Sequence, residues 1–271
     1  MKQGFPSGLS GLTIIPPDIL KDTYSGTAEP TGFSKTRKER DMPDQLDSQW
    51  DIQREELLEA AKLMLSRGLV SGTAGNVSVR LSKSSEWEDP EKPAFLVTPG
   101  SVSYETMTRE DLVVVNGEIE PLGGEQIPST ESLLHHAIYR ARPDVESVMH
   151  SHSLFATVAA VMGRPIPPVV DELAIYVGGS VDVADYAEPA TDELAEAGVA
   201  ALGQKGACLL RHHGMCAVGT SAARALEICT LVERVAQIYF YAALADGAHP
   251  LPADVIEREQ AVYRMRSGFE V

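Results

Sequence analysis

Apolar residues recur at helical spacing in some stretches of the chain and alternate at strand spacing in others. Spacings of three and four residues predict amphipathic helices over 51–68, 130–142, 154–162, 191–202 and 221–245. Shorter alternating or continuous apolar runs predict strands at 77–81, 94–98, 112–115, 145–150, 207–210 and 215–218. After the third strand, Asn116-Gly117 is a hairpin signal, with Glu118-Ile119 as the return strand. Helices interleaved with strands and hairpins predict a three-layer α/β or α+β domain around a mixed sheet.

The first 45 residues have a different character from the rest of the chain. They carry Gly, Pro, Ser and Thr with scattered charge and no sustained periodicity. This composition predicts a flexible N-terminal arm, or a strap over a neighbouring subunit. Because a chain of 271 residues can bury one sizeable core, residues 46–271 are predicted to form a single domain.

Composition and charge exclude several classes of function. The net charge of −16 argues against a nucleic-acid partner, because the phosphate backbone is bound through basic patches. No uninterrupted run approaches the roughly 18 apolar residues of a membrane span, and the N-terminus lacks the apolar segment of a signal peptide. A cytoplasmic protein with no membrane partner is expected. Its three cysteines form no CxxC pair, which favours reduced thiols.

His150-Ser151-His152 lies at the end of a predicted strand. In extended backbone, residues i and i+2 project from the same face, so both imidazoles can reach one ion. Taken alone, the triplet fits two hydrogen-bonded histidines at a sheet edge equally well.

A second histidine cluster, Arg211-His212-His213-Gly214, lies in a predicted tight turn between two apolar strands. One of its two histidines can complete a three-histidine site, and the other would then make a structural hydrogen bond. Three protein ligands with one open position are typical of catalytic zinc, whereas structural zinc sites have four.

Two further segments carry groups that suit an active site. Ser129-Thr130-Glu131 begins a predicted helix with Ser129 as its N-cap, and this pattern fits either a capped helix with an acidic first turn or a general base near a metal. The loop 71–76 is rich in small residues whose amides and hydroxyls can hold an anion. It also fits an ordinary helix-to-strand turn, and it lacks the Gly-Lys-Ser/Thr of a P-loop.

Four segments in this order resemble the class II aldolase and adducin head-domain family: GTAGNVSVR (72–80), IPSTE (127–131), ARPDVESVMHSH (141–152) and LLRHHG (209–214). The resemblance covers approximately residues 55–245. It implies an α/β/α structure with a mixed central β-sheet, so that 46–271 would be a catalytic domain. It also implies a homotetramer whose active sites lie between subunits. By this resemblance, His150, His152 and His213 are the metal ligands and Glu131 is the catalytic acid/base.

The resemblance also implies a phosphate-binding set, formed by Thr73, Gly75, Asn76, Ser129 and Thr130. Where the family's aldolases carry Thr-Pro-Thr/Ser-Gly, this chain has the segment 98–101, Thr-Pro-Gly-Ser, so Ser101 would supply the missing hydroxyl.

Two tyrosines of the sugar aldolases have no direct counterpart in this chain. The tyrosine that donates a proton on the aldehyde side aligns with Glu172, for which Tyr176 is a possible substitute on the substrate side. The tyrosine near the family's C-terminus has only Tyr263 nearby. The metal ligands therefore match the family better than the substrate-side residues do.

The resemblance implies a divalent-metal-dependent carbon–carbon lyase of carbohydrate metabolism, acting through a metal-stabilised enediolate. The expected substrate is a small, phosphorylated hydroxyketone or sugar. Zinc is favoured, although iron, manganese, cobalt and nickel also suit three imidazoles. One alternative is a metal-dependent decarboxylase of a hydroxylated aromatic or sugar acid, motivated by the altered 98–101 turn and by Asp171-Glu172. More distant alternatives are a non-haem iron oxygenase and a non-catalytic module like the adducin head.

Overall fold

The computed structural model describes residues 50–81, 92–122, 126–245 and 247–267, so the predicted arm 1–45 lies outside the described residues. The helices are α1 (Asp51–Ser66), α2 (Ser132–Ala141), α3 (Leu154–Met162), α4 (Asp171–Val177), α5 (Asp192–Leu202), α6 (Ala222–Ala245) and α7 (Ala253–Ser267), and Arg109–Asp111 form a 3-10 turn. The strands are β1 (Asn76–Arg80), β2 (Phe95–Val97), β3 (Val113–Val115), β4 (Ser147–Ser151), β5 (Val183–Ala184), β6 (Ala207–Leu210) and β7 (Gly214–Gly219).

The strands form one seven-stranded sheet in the order β3-β2-β1-β4-β7-β6-β5. Strand β4 occupies the middle of the sheet and pairs antiparallel with β1 on one side and β7 on the other. The β5–β6 pair is parallel, which makes the sheet mixed. The two histidine segments found in the sequence meet here, because β4 carries His150 and the β6–β7 turn carries His213.

Each face of the sheet packs against its own layer of helices. Buried residues of α1, α3, α4 and α6 cover one face, called here the α6 face. Buried residues of α2 and α5 cover the other, the α2 face. Alternation along β4 sends Met149 to the α6 face and Val148 to the α2 face, as the strand period of two requires. The predicted three-layer α/β/α architecture with a mixed sheet is confirmed.

Helix α6 is long and apolar enough to cross a membrane by length and composition. Of its most apolar 18-residue window, 28% is buried inside the protein, and its buried residues lie between Ala222 and Ala236. It packs against β4, β7 and α3. Glu233 and Arg234 interrupt its apolar run, which is why the sequence pattern alone did not indicate a span.

The predicted hairpin after β3 is only partly correct. The turn forms, because the Asn116 carboxamide oxygen accepts the N–H groups of Glu118 (3.0 Å) and Glu120 (2.9 Å). The predicted return strand does not form, since Ile119 has the left-handed φ of 63°. A single bridge then pairs Val115 with Pro121. Its two hydrogen bonds flank the proline: the Leu122 N–H donates to the Val114 carbonyl at 2.8 Å and the Asn116 N–H to the Glu120 carbonyl at 3.0 Å.

The predicted helix start at Ser129 is wrong. Helix α2 begins at Ser132 with Glu131 at its N-cap position. The Ser129 hydroxyl instead accepts a hydrogen bond from the side-chain amide of Asn76 at 2.8 Å and another from the Glu131 N–H at 3.3 Å. A contact with β1, distant in sequence, therefore takes the hydroxyl that the local pattern assigned to capping.

Two helices are absent from the sequence prediction. Helix α4 has 7 residues, too few for a periodic signal. Helix α7 packs against α4 but contributes no buried residue among those described. An apolar stripe is the usual sign of a surface helix, and neither helix offers one long enough to detect.

Candidate metal centre

His150 is the most constrained of the candidate ligands. It lies on β4 directly across from Cys216 of β7, a residue of the α2-face core, and it is 1% exposed. Its Nδ1 is 2.9 Å from the carbonyl oxygen of Met215. Because a carbonyl only accepts, Nδ1 carries the proton and Nε2 presents a lone pair.

The structure brings His152 and His213 to this lone pair. One ligand atom from each of the three imidazoles lies within 4.8 Å of the others. The Nε2 atoms of His150 and His152 are 2.8 Å apart, and His213 lies edge-on to both rings, with centroid distances of 4.7 and 5.0 Å. We call this group the histidine cluster.

The turn between β6 and β7 selects His213 rather than His212 for the cluster. His212 adopts a left-handed φ of 58°, and its ring packs against Tyr186 at 5.9 Å. The N–H of His213 donates to the Leu210 carbonyl at 3.0 Å, which closes the turn. Successive residues therefore point in different directions, and His213 faces the cluster.

Gly214 allows the close packing of this turn on β4. A Cβ at this position would lie 2.4 Å from the Ser151 carbonyl oxygen and 3.1 Å from Cδ2 of His152. Real Cβ atoms do not approach a backbone oxygen that closely, so any larger residue would separate the two histidine segments. Glycine after His213 is thus required by the geometry of the site.

Burial keeps the three imidazoles neutral at physiological pH. It lowers the pKa of His150 well below its ordinary value. Partial desolvation of the His152 ring lowers its pKa as well, although the residue as a whole is exposed. For His213, burial and then the neighbouring His152 lower the pKa to about 4. A neutral imidazole is the form that binds a metal.

Glu131 lies beside the cluster with a buried carboxyl group. One of its oxygens, Oε1, is 3.8 Å from Nε2 of His213, and the residue is 6% exposed. Burial raises the pKa of this carboxyl to about 7. Because His213 is neutral, the contact is not an ion pair. Its other oxygen, Oε2, is buried and has no hydrogen-bond partner among the described residues.

These groups together fit a divalent cation. Three neutral imidazoles converge, and a buried carboxylate nearby has an oxygen without a partner. Buried charges and polar atoms are normally paired, so this combination without a cation would be costly. Three imidazoles leave at least one coordination position for substrate.

The predicted phosphate loops lie next to the cluster. Asn76 is the direct strand partner of His150, and its amide holds Ser129. A bridge between Pro99 and Pro128 places the 98–101 turn beside this segment. Thr73, Ser101 and Thr130, the other three predicted hydroxyl residues, are exposed. The loops are therefore adjacent, and their exposed hydroxyls are open to a ligand.

Gly75 fixes the loop that precedes β1. It has a left-handed φ of 72°, and a Cβ there would lie 2.6 Å from the His150 carbonyl oxygen. The Tyr104 hydroxyl donates to the Gly75 carbonyl at 2.6 Å. Glycine is needed here both for the backbone conformation and for the close approach to β4.

A buried polar network below the cluster was not found from the sequence. The Ser78 hydroxyl lies 2.7 Å from both Nδ1 of His135 and the hydroxyl of Tyr139. His135 is one helical turn after Glu131 on α2, and burial lowers its pKa to about 3. The i, i+4 spacing of Glu131 and His135 was a usable signal, because it places both on one helix face.

The predicted substrate-side residues Glu172 and Tyr176 are not brought to the histidine cluster within one chain. Both lie on α4, which packs on the α6 face, whereas His150 points to the α2 face. Tyr176 lines a cavity with Gly219 and Thr220, at the opposite end of β7 from Gly214. A role for Glu172 or Tyr176 at the histidine cluster would therefore need a neighbouring subunit, and it stays a prediction.

Tyr263 is likewise remote from the cluster. It packs against Gly178, its hydroxyl donates to the Gln204 carbonyl at 3.0 Å, and it lines the same cavity as Tyr176. Its hydroxyl is thus engaged in its own chain.

Fold and site together are those of a metal-dependent lyase of the class II aldolase type. Residues 55–240 match the family described as Class II Aldolase and Adducin N-terminal domain. The chain is 36% identical over 202 residues to a 5-methylthioribulose-1-phosphate/5-deoxyribulose-1-phosphate aldolase of Rhodospirillum rubrum, covering 74% of this chain and 86% of that protein. It is 35% identical over 184 residues to L-fuculose phosphate aldolase of Escherichia coli, covering 68% and 80% of the two chains.

A solved structure of an L-fuculose 1-phosphate aldolase superposes with a TM-score of 0.72 and 30% sequence identity, covering 79% of this chain and 97% of that one. The chain therefore belongs to the class II aldolase and adducin N-terminal domain family. The prediction of a class II aldolase, a metal-dependent carbon–carbon lyase, is confirmed at the level of this family.

Proposed function

We propose that this protein is an aldolase that cleaves a small ketose 1-phosphate into dihydroxyacetone phosphate and an aldehyde. The observation that carries the proposal is the histidine cluster with the buried Glu131 carboxyl 3.8 Å from His213. Relatives named as aldolases of ribulose and fuculose phosphates support the substrate class.

In this proposal His150, His152 and His213 hold the divalent metal. The cation supplies Lewis-acid stabilisation of the negative charge that develops as the carbon–carbon bond breaks. Zinc is the preferred ion, with iron, manganese, cobalt and nickel as alternatives for the same three imidazoles. The Met215 carbonyl fixes the His150 ring for this role, and Gly214 lets the His213 turn approach it.

Glu131 is the proposed acid/base. Cleavage moves one proton overall, from the hydroxyl of the departing aldehyde fragment to the carbon that loses its bond partner. The carboxyl of Glu131 delivers a proton to that carbon, and the resulting carboxylate is reprotonated by the proton that the hydroxyl releases, so the enzyme returns to its starting state; the reverse reaction runs the same transfers backwards. Burial supports this role, since a carboxyl with a pKa near 7 can both give and take a proton at neutral pH.

The three loops beside the cluster form the proposed phosphate site. Asn76, held against Ser129 at 2.8 Å, links this site to the strand of His150. Exposed hydroxyls and loop amides are suited to an anion, and the set comprises Thr73, Gly75, Asn76, Ser101, Ser129 and Thr130. Local donors matter here because the chain's net charge of −16 does not attract a phosphate from a distance.

The substrate class is tested with a matched pair of ketoses that differ only in the 1-phosphate. The metal-loaded protein should release dihydroxyacetone phosphate from the phosphorylated ketose. Its kcat/KM for the unphosphorylated ketose should be about a hundred-fold lower, since two charge-assisted hydrogen bonds contribute roughly 3 kcal/mol. A dehydrogenase assay coupled to the aldehyde measures both, because the aldehyde is the product that the two reactions share. Equal values would contradict the phosphate site, and carbon dioxide release from hydroxy acids without aldol cleavage would identify a decarboxylase.

The proposal includes a cytoplasmic homotetramer with active sites between subunits. A patch on α3, formed at one helix face by Leu154, Val158, Val161 and Met162, is 37 to 66% exposed. Tyr241 of α6, 58% exposed, extends it through its contact with Phe155. Contiguous exposed apolar surface is typical of a subunit interface. Because the patch begins two residues after His152, a subunit covering it would border the active site.

Light scattering should therefore give the mass of four chains. Val161→Glu places a charge in the patch and should produce a smaller species. Met265→Glu is the matched control, because Met265 is 74% exposed on α7, outside the patch, and this variant should keep the mass of the wild type. A wild-type monomer with full activity would exclude active sites that need two subunits.

A further inference from the structure

The corner between β4 and α3 has an unusual helix start. Ser153 occupies the N-cap position of α3 with extended backbone, but its side chain does not cap the helix. The hydroxyl instead lies 3.5 Å from the Met215 sulfur and points into the core. A serine at this position normally accepts a hydrogen bond from the first turn of its own helix. The first N–H groups of α3 therefore need a partner from elsewhere.

Glu233 of α6 is that partner. Its Oε1 accepts the N–H of Phe155 and its Oε2 accepts the N–H of Ala156, both at 2.9 Å. The residues are 78 and 77 positions apart in sequence. A carboxylate at a helix N-terminus is favoured both by these charge-assisted bonds and by the helix dipole. A side chain of α6 thus fixes where α3 begins.

Helix α6 holds the chain on both sides of His152. One helical turn before Glu233, the Cys229 sulfur lies 3.1 Å from the Ser151 hydroxyl. Residues i and i+4 share one face of a helix, so Cys229 and Glu233 form two adjacent contacts. They bracket His152 in sequence, because Ser151 precedes it and Phe155 follows it by three residues.

His152 depends on this bracket more than His150 does. The His150 ring is fixed by the Met215 carbonyl at 2.9 Å and is fully buried. Within the described part of the chain, the His152 imidazole lies at hydrogen-bonding distance only from His150, and the residue is exposed. The position of its ring is therefore set mainly by its backbone.

We infer that Glu233 is a positioning residue for the metal site. Through the cap that it provides to α3, it holds the backbone of His152 where the imidazole meets those of His150 and His213. The inference rests on the proposed metal-binding role of the histidine cluster. Glu233 does not touch the cluster itself, so its effect should appear in the affinity and geometry of the bound ion.

The experiment compares Glu233→Gln with Glu227→Gln in the full-length protein. Glu233→Gln keeps the shape of the side chain but turns one of its two acceptor oxygens into an amide that faces an N–H. Glu227 lies on the same helix, is exposed and, among the described residues, forms an ion pair with Arg224, so its variant is the matched control. Cobalt(II) binding is measured by chelator competition and by the visible absorption of the bound ion, together with the melting temperature of the metal-free protein.

Glu233→Gln should raise the cobalt dissociation constant about ten-fold and change the visible spectrum, while Glu227→Gln should stay within about two-fold of wild type. Glu233→Asp, which retracts the carboxylate by one methylene, should give a smaller rise and serves if the glutamine variant does not fold. A lower melting temperature with unchanged cobalt affinity and spectrum would overturn the inference.

The proposed function can fail separately. If wild-type protein binds cobalt and His150→Ala abolishes that binding, the metal site stands, and absence of ketose-phosphate cleavage then contradicts only the aldolase assignment. If wild-type protein binds no cobalt through His150, both the metal site and the role of Glu233 are wrong.

Discussion

His213→Ala should release the bound metal and lower kcat by roughly a thousand-fold, whereas His212→Asn should leave both unchanged. A metal ion contributes several kcal/mol of charge stabilisation in such reactions, and each 1.4 kcal/mol corresponds to a factor of ten. His213 lies in the cluster with His150 and His152, so its loss leaves two imidazoles. Metal content and the rate of aldol cleavage are the measurements.

The neighbouring histidine provides a strict control. His212 is adjacent in sequence but packs against Tyr186 and has a left-handed φ of 58°. Asparagine tolerates this conformation, so His212→Asn changes the ring without straining the turn. If His212→Asn removed the metal and His213→Ala did not, the assignment of the cluster would be wrong.

Glu131→Gln should lower kcat by a factor of about 10² to 10⁴, the usual contribution of a positioned acid/base, while retaining the metal. Glutamine has nearly the shape of the carboxylic acid but cannot exchange a proton. Because Glu131 is only 6% exposed, a water molecule has little access to take over the proton transfer in the variant. Steady-state kinetics and metal analysis on the same preparation check the two parts of the prediction.

The metal content of Glu131→Gln separates two roles for the carboxylate. A protein with full metal content and a low kcat has lost an acid/base. A protein that has lost its metal as well would make Glu131 a ligand, since its Oε1 lies 3.8 Å from the His213 ring. Activity within a few-fold of wild type would place the proton transfer on another residue.

The sequence predicted the parts of the site that depend on local spacing. His150 and His152 project together because strand residues two apart share a face, and a glycine after His213 indicated a tight turn. Which histidine of the 212–213 pair faces the cluster was indicated only by family resemblance, because the choice depends on the left-handed backbone of His212.

The sequence could not predict groups whose roles depend on distant contacts. Ser129 was assigned to capping by a local rule, but Asn76 of β1 takes its hydroxyl. Glu233 occupies an ordinary polar position of α6, and its partners lie 77 and 78 residues earlier. Alignment with a family tyrosine predicts Glu172 near the substrate; within one chain α4 packs on the α6 face, so this prediction depends on a neighbouring subunit. For Ser129 and Glu233 tertiary packing decided the outcome.

The contrast between the rigid frame of the cluster and the exposed hydroxyls around it has a consequence for how the protein can diverge. His150 and Gly214 are fixed by backbone packing, so nearly every change there would abolish chemistry altogether. Thr73, Ser101 and Thr130 are exposed on short loops that bear little of the core. New specificities can accordingly arise by substitutions at these three exposed positions, while Gly75, Glu131 and the histidines are inherited unchanged.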